Sequence, residues 1–441
     1  MILVERECIH LIKKFLDKIN YKFIYKFVAA DKYRSSPFLK ISSVKENRTL
    51  HEKYKIIIDG FYFNLPIDLK KFVYYYGEEI LACLQRISYI KLNEYTITFL
   101  GYRLAVIEDT YVVMTNESDL QISKEDKVYI GDDTFELIKY MTKRKDVKVL
   151  DLCSGTGVLG LVMCSYASKV IAVEKDNNAQ QLCEFNILLN EYEDVMEIRN
   201  GDLYDVIRDN ERFDYIVTNP PYIAVPREIS FPLCADGGEN GLYIINRILS
   251  DSNKYLFDSG KVIMILEGIG DDKKPYFLDY IKRFNGQKCL ALIARRNSKF
   301  QSEIYGEVSH KRKNKCSCVE YKKLWEKFYK KNNVSFIYYM VFVLTNNKMN
   351  TLDILENYNP FCLETVIKVK ENISLNTYGT KFIIYGPDQQ LLFISKSLYD
   401  LLKNKDEVSL KCISDFSGEE MELLFFQLYE LEKVGMIERI R

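Results

Sequence analysis

Short apolar runs alternate with helical stretches between about residues 126 and 345. The runs read VKVLDL, KVIAVEK, VMEIRNGD, FDYIVTN, KVIMILEG, CLALIARR and FIYYMVFVL. Alternation of this kind is typical of βα units, which build a mostly parallel sheet with helices on both faces. We therefore predict that this part of the chain is a doubly wound α/β domain.

The overall composition excludes several classes of protein. Hydrophobic residues make up 47% and charged residues 28% of the 441 residues, which excludes bulk disorder. Lys plus Arg equals Asp plus Glu, 62 against 62, so any contact with nucleic acid must be a local patch. No apolar run approaches the ~18 residues of a membrane span, and the N-terminus lacks the plan of a signal peptide. We expect a cytoplasmic protein with no membrane contact and leave its oligomeric state open.

The cysteines and histidines do not indicate a metal site. The eleven cysteines are scattered, and the close pair Cys316 and Cys318 has no partner Cys or His at zinc spacing. We interpret them as free thiols of a reducing compartment. His10, His51 and His310 are too dispersed for a metal cluster or a catalytic triad.

The segment from residue 1 to 125 indicates a small accessory domain. Gly77–Ile90 has the apolar spacing of an amphipathic helix. The β-rich runs TITFLGYRLAVI and TYVVMT flank Glu108 and Asp109, which predicts a hairpin. Helices followed by a two-stranded wing are typical of an α+β, winged-helix-like domain. We favour a lid or interface role for it over nucleic-acid reading.

A basic insertion at 297–333 interrupts the central domain, which we place at 126–345. From His310 to Lys331 it holds nine basic residues against Glu320 and Glu326. One interpretation is a solvated, mobile insertion between the last two strands. The other is a clamp for a phosphate backbone or an acidic peptide. The basic residues are Lys311, Arg312, Lys313, Lys315, Lys322, Lys323, Lys327, Lys330 and Lys331.

The tail at 346–441 indicates a third, winged-helix-like module for substrate recognition or an interface. TKFIIYG and QLLFISK flank a turn and predict a hairpin, SLYDLLK predicts a helix, and MIERI predicts a final strand. A second helix is predicted over Glu419–Val434, with a capping box from Ser417 and Glu420 and with Gly435 after its end. We predict that its stripe of Leu424, Leu428 and Leu431 is core and not a binding face.

A Gly-rich turn follows the first apolar run, in VKVLDLCSGTGVLGL. Gly155 and Gly157 let the backbone approach a ligand closely, and the helix beyond offers free N–H groups. Glu174 ends the next strand at the position, about 20 residues on, where an acid accepts ribose hydroxyls. Asp202 ends the third strand. An isolated Asp there is usually a helix cap, but in this ordered series we interpret it as a ligand contact for an adenine amino group.

The fourth strand runs straight into Asn219-Pro220-Pro221-Tyr222. Two prolines at a strand end cannot donate backbone hydrogen bonds to a neighbouring strand, and they hold the backbone rigid. The Asn219 side-chain oxygen and the Pro220 carbonyl can therefore point at one amino group and orient its lone pair toward an electrophile. Tyr222 adds a flat face on which a planar amide or base can stack. The alternative is a rigid turn with a packed core ring.

These motifs together resemble those of class I S-adenosylmethionine-dependent methyltransferases, in the amino-methylating group that includes release-factor glutamine methyltransferases and N6-adenine enzymes. VYIGDDTFELIKYM before the turn and ADGGENGLYIINRIL after NPPY strengthen the resemblance. It implies a seven-stranded sheet, S-adenosylmethionine as cofactor and no metal. The implied catalytic residues are Asn219, Pro220 and Tyr222, and the implied cofactor residues are Asp151, Cys153, Ser154, Gly155, Gly157, Glu174, Lys175, Asp202, Leu203 and Asn219.

The chain departs from the family pattern in two places. Cys153 and Ser154 stand where a glycine is often found, and Ile130-Gly131-Asp132-Asp133 replaces the usual Pro-Arg stretch. The second departure weakens the case for a translation factor as substrate. We expect N-methylation of a planar amide or amine of a protein, peptide or natural product. The alternatives are an exocyclic amine of RNA or DNA, bound through the basic insertion, a small-molecule acceptor, and a binding scaffold without activity.

Overall fold

The fold is given by a computed structural model of the chain. It describes residues 2–29, 50–115, 128, 130–141, 144–281, 288–297, 302, 304–306, 308–310, 316–345, 351–356, 366–370, 373–378, 381–385, 391–403, 405–413, 424, 427–428, 431 and 436–439.

The central feature is a mixed sheet of eight strands within these residues, in the order β13-β11-β12-β10-β9-β6-β7-β8. Only β12 runs antiparallel to its neighbours. The prediction of a mostly parallel sheet is confirmed, but seven strands is one too few, because β13 pairs with the outer edge of β11. The strands are β6 (Val147–Leu152), β7 (Ala167–Glu174), β8 (Met196–Asn200), β9 (Phe213–Thr218), β10 (Leu256–Gly270), β11 (Lys288–Asn297), β12 (Phe336–Thr345) and β13 (Thr351–Glu356).

Helices cover both faces of this sheet. Successive side chains of a strand point to opposite faces, so in β6 Val149 joins one hydrophobic core and Leu150 the other. Both faces are therefore buried, as a doubly wound fold requires. The helices are α6 (Asp132–Tyr140), α7 (Val158–Met163), α8 (Asn177–Leu189), α9 (Tyr243–Tyr255), α10 (Phe277–Ile281) and α11 (Cys318–Lys331).

The N-terminal part combines helices with a three-stranded sheet of order β1-β3-β2 and a separate hairpin of β4 and β5. The helix predicted over Gly77–Ile90 is present as α5. The elements are α1 (Arg6–Lys18), α2 (Tyr21–Ala29), α3 (Glu52–Phe61), β1 (Ile67–Asp68), α4 (Leu69–Tyr76), α5 (Glu79–Arg86), β2 (Ile90–Leu92), β3 (Thr96–Phe99), β4 (Tyr102–Ile107) and β5 (Thr110–Thr115).

The predicted hairpin forms, but not as a wing of the small sheet. Its first run divides at Gly101 into β3, which joins the small sheet, and β4, which pairs with β5. Glu108 and Asp109 both have positive φ, 47° and 67°, as a tight turn between twisted strands demands. The hairpin lies against α8 of the central domain instead.

Two buried asparagines hold the outer edge of β5: Asn186 lies within α8, and Asn190 is the residue that caps its C-terminal end. Asn186 Oδ1 accepts from Val113 N at 2.7 Å and its Nδ2 donates to Val113 O at 2.9 Å. Asn190 makes the same pair of bonds with the backbone of Tyr111, at 2.9 and 2.8 Å. Each amide thus replaces a neighbouring strand, so the strand edge is paired without a sheet partner.

The basic insertion is not merely solvated. Its helix α11 begins at a capping box of Ser317 and Glu320 and buries one face, with Trp325 fully buried. Lys323, Lys327 and other lysines lie on the opposite, exposed face. The solvated interpretation is therefore wrong for this helix. Lys311, Arg312, Lys313 and Lys315 lie outside the described residues.

In the tail, the predicted hairpin is present as β16 pairing with β17, and MIERI supplies β19. Leu424, Leu428 and Leu431 are fully buried in its core, which confirms their predicted role. Ser417, Glu420, Gly435 and the turn between the strands lie outside the described residues. The elements are β14 (Val366–Val369), β15 (Ser374–Tyr378), β16 (Lys381–Tyr385), β17 (Leu391–Ile394), α12 (Lys396–Leu402), β18 (Glu407–Ser409) and β19 (Ile437–Arg439).

Candidate active site

The predicted site residues meet at one edge of the large sheet. Leu152, the last residue of β6, pairs in register with Val173 of β7 and with Thr218 of β9. The next residue of each strand is Cys153, Glu174 or Asn219. Because parallel strands end at the same edge, the Gly-rich turn, the acid and the NPPY motif lie side by side.

The Gly-rich turn alternates its backbone conformation. Cys153, Gly155 and Gly157 have φ of +56°, +54° and +79°. Such angles favour glycine, which explains physically why a glycine is common where this chain has Cys153. A Cβ on Gly157 would lie 2.5 Å from Cys183 Sγ, whereas one on Gly155 would meet no described atom within 4 Å. The open space beside Gly155 is what a ligand lying on the turn needs.

Three buried polar atoms beside this turn have no hydrogen-bond partner among the described residues. They are Asp151 Oδ1, Ser154 Oγ and Thr156 Oγ1. Asp151 is fully buried and its other oxygen accepts from Gly160 N at 2.9 Å. Burial raises the pKa of Asp151 to about 7. Unpaired buried groups cost stability, so their concentration here fits a turn that binds a polar ligand.

Glu174 is held against the turn by backbone donors. Its Oε2 accepts from Gly155 N at 2.8 Å, and its Oε1 accepts from the backbone N of Lys175 and Asp176 at 2.8 and 2.9 Å. These bonds fix the direction of the carboxylate, which retains lone pairs for further donors.

Asp202 does not cap a helix with its side chain. Arg247 of α9 donates to both of its oxygens at 3.1 Å, and Lys175 Nζ lies 3.2 Å away. Burial raises the pKa of Asp202, but the hydrogen bonds from Arg247 and Lys175 outweigh burial, and the net pKa is lowered. The following residue, Leu203, is buried with φ +57°. Sequence reasoning missed Arg247, because nothing in NRIL distinguishes it from an ordinary surface arginine.

The Asn219 amide is oriented by α6. Its Nδ2 donates to Asp133 Oδ2 and to Thr134 Oγ1, both at 2.9 Å. An oxygen in that position would face a carboxylate with no proton between them, so Oδ1 must point the other way and remain an acceptor. Tyr222 Oη donates to the same Asp133 Oδ2 at 2.6 Å. Asp133 and Thr134 were not predicted, although Asp133 ends the stretch that departs from the family pattern and Thr134 follows it directly.

Two glycines after the motif hold the backbone of Tyr222. A Cβ on Gly237 would lie 2.8 Å from Tyr222 Cα, and one on Gly241 would lie 2.3 Å from Tyr222 O. Ile223 is bonded to the same loop through Ala235 O and Gly237 N. The ADGGENG stretch therefore packs directly on the NPPY motif. Burial, and then the charge of Asp133, raise the pKa of Tyr222 well above its ordinary value.

The described residues include neither a metal cluster nor a membrane-spanning helix. No group of three or more His, Cys, Asp or Glu side chains in this part of the chain has the arrangement of a metal site. No helix in it is both long and apolar enough to cross a membrane.

Residues 126–274, about a third of the chain, match the family model described as Methyltransferase small domain. The chain is 34% identical over 152 residues to a release factor glutamine methyltransferase of Clostridium acetobutylicum, covering 31% of this chain and 51% of that protein. It is 32% identical over 126 residues to a ribosomal protein uL3 glutamine methyltransferase of Bradyrhizobium diazoefficiens, covering 26% and 39%.

The chain thus spans about half the length, or less, of these relatives. Among solved structures, a tRNA m1G37 methyltransferase of M. jannaschii aligns with 57% of this chain and 61% of its own, at 14% identity and a TM-score of 0.33. Residues 126–274, which match the family model, contain the Gly-rich turn, Glu174, Asp202 and NPPY. The part of the chain that forms the candidate site is therefore the part that matches this model.

Proposed function

We propose that the chain is an S-adenosylmethionine-dependent N-methyltransferase that acts on a planar amide nitrogen of a protein or peptide. One observation carries the proposal: Asp133 and Thr134 bind the Asn219 amide nitrogen, which leaves its oxygen as an acceptor beside the Gly-rich turn. The names of the relatives, which methylate glutamine in proteins, support the amide over other acceptors.

The cofactor would lie across the turn and the two acids. Gly155 leaves room for it, Ser154 and Thr156 offer unpaired hydroxyls, Glu174 would accept from the ribose and Asp202 from the adenine amino group. Leu203, Lys175, Cys153 and Asp151 line the same edge. When bound, the cofactor supplies an electrophilic methyl group on a sulfonium.

The chain's own residues position the acceptor. Asn219 Oδ1 and the Pro220 carbonyl accept from the acceptor NH₂, which turns the nitrogen lone pair toward the methyl group. Tyr222, anchored through Asp133, stacks on the plane of the amide. Holding the reacting atoms about 3 Å apart supplies much of the rate enhancement.

A direct test offers labelled S-adenosylmethionine with short peptides that have a central glutamine, asparagine or lysine, and with adenine- and guanine-containing oligonucleotides. Methyl transfer to the glutamine or asparagine peptide supports the proposal. Transfer to oligonucleotides alone contradicts it and favours the alternative, RNA or DNA amines held by the exposed lysines of α11. That alternative also requires binding that weakens steeply with salt. The absence of transfer to any acceptor would favour a small-molecule acceptor or a scaffold.

We also propose the division of the chain into an accessory region at 1–125, the methyltransferase domain at 126–345 and a tail domain at 346–441. The order α3-β1-α4-α5-β2-β3, with a sheet of order β1-β3-β2, supports a winged-helix-like N-terminal unit. The tail would serve substrate recognition or an interface. The relatives' protein substrates are consistent with a cytoplasmic location, which we propose for this chain too.

Replacing Glu174 with Ala should weaken S-adenosylmethionine binding by about 1–3 kcal/mol, because two hydroxyls lose a charged acceptor. Calorimetry measures this directly. Glu184→Ala, on the exposed face of α8, is the matched control and should bind normally. Unchanged affinity in a folded Glu174→Ala protein would remove Glu174 from the cofactor site.

A further inference from the structure

The basic insertion packs over the loop that follows the NPPY motif. The Trp325 ring of α11 lies 4.9 Å from that of Tyr305, within the insertion, and 5.6 Å from that of Phe231, within the loop. All three rings are buried in one hydrophobic cluster. The insertion therefore forms a wall beside the motif that would hold the methyl acceptor.

A buried carboxylate connects this wall to the motif. Met264 of β10 pairs with Thr218, the last residue of β9, and the two strands run parallel. Glu267 therefore lies beyond the end of β9, at the level of the NPPY residues. Glu267 is 5% exposed and pairs across strands with Tyr339 of β12. Tyr305 Oη donates to it, and both carboxylate oxygens lie within reach of that one hydroxyl.

Tyr329 of α11 carries a buried hydroxyl that bonds to none of the described residues. The residue is 3% exposed, its ring lies 5.9 Å from that of Trp325, and Oη has no hydrogen-bond partner among the described residues. Burial first, then the charge of Glu267, raise its pKa, and the same charge acts on Tyr222. Tyr329 belongs to the same hydrophobic cluster as Tyr305, whose hydroxyl binds Glu267, and Ile223, the residue after Tyr222, packs against that cluster. The Tyr329 side chain therefore lies behind the NPPY motif. A phenylalanine would fill the position without leaving an unpaired group.

We propose that Tyr329 is a specificity-determining residue of the acceptor site, whose hydroxyl donates to the carbonyl oxygen of the acceptor amide. The inference rests on the proposed function. Asn219 Oδ1 and the Pro220 carbonyl accept from the amide nitrogen, and Tyr329 supplies the donor that the amide oxygen requires. An alkyl amine such as a lysine side chain has no such oxygen, so Tyr329 would favour the amide.

The test compares Tyr329→Phe with Tyr321→Phe, which removes a hydroxyl from the same buried face of α11. For Tyr329→Phe we expect a melting temperature about 2–4 °C higher, since an unpaired buried group is removed. S-adenosylmethionine affinity should be unchanged. The KM for a short peptide with a central glutamine should rise about tenfold with little change in kcat, because one hydrogen bond to the amide is lost. Tyr321→Phe should leave KM unchanged.

A binding measurement separates this inference from the proposed function. The protein loaded with S-adenosylhomocysteine is titrated with the glutamine peptide and with its lysine counterpart. Preference for glutamine that disappears in Tyr329→Phe supports the role of Tyr329 even if no methyl group is transferred, in which case the proposed activity alone fails. Equal affinity of the wild type for both peptides, or an unchanged preference in Tyr329→Phe, overturns it.

Discussion

Asn219→Ala should lower methyl transfer at least about 100-fold, since it removes one of the two acceptors that orient the nucleophile. S-adenosylmethionine affinity should stay at the wild-type value, because α6 holds the amide nitrogen and we assign the amide oxygen to the acceptor, not to the cofactor as the family resemblance alone would imply. Single-turnover rates and calorimetry on one protein sample measure both quantities.

Asp133→Asn is the companion variant. It keeps the shape of the side chain but removes the charge that selects the orientation of the Asn219 amide. We expect a smaller loss of turnover, again with normal cofactor affinity.

A turnover in Asn219→Ala within about threefold of the wild-type value would contradict the proposed role of Asn219. The acceptor would then be held differently, and a carboxylate or thiol nucleophile would have to replace the amide in the proposal.

Asn186→Ala should destabilise the folded protein by about 3 kcal/mol. The side chain makes two bonds to Val113 and a third to Thr156 O at 3.0 Å. All are buried, and each backbone group left unpaired costs about 1–3 kcal/mol. Urea denaturation measures the loss.

Asn200→Ala is the matched control, since its amide lies on the surface and donates to Asn177 Oδ1 there. Its effect should stay within about 0.5 kcal/mol. Equal stability of both variants would mean that the edge of β5 pairs with solvent as readily as with α8.

The sequence was sufficient to predict which strand ends carry the site. Gly155, Glu174 and Asn219 each follow an apolar run, and parallel strands bring such ends to one edge whatever the loops between them do. The same reasoning extends to the two-sided core, since neighbouring positions of the central runs, such as Val149 and Leu150, are both apolar.

Contacts between distant segments were beyond sequence reasoning. Asp133 meets Asn219 across 86 positions, and Arg247 meets Asp202 through the packing of a helix. Sequence patterns relate residues that are close along the chain. They do not predict which residues far apart in sequence come into contact. One local signal was overlooked: Ser317 and Glu320 have the spacing of a capping box, which would have predicted a helix in the basic insertion.

The asparagine bonds to β5 join two regions of the chain that the sequence motifs separate. Asn186 joins Val113 of the N-terminal hairpin to Thr156 of the Gly-rich turn, and one hydrophobic core contains residues of both regions, such as Met114 and Leu182. Residue 126 therefore separates motifs, not independently folding units. A shortened protein beginning there would expose an apolar face, and cofactor binding should slow amide exchange in the intact hairpin as well as in the turn.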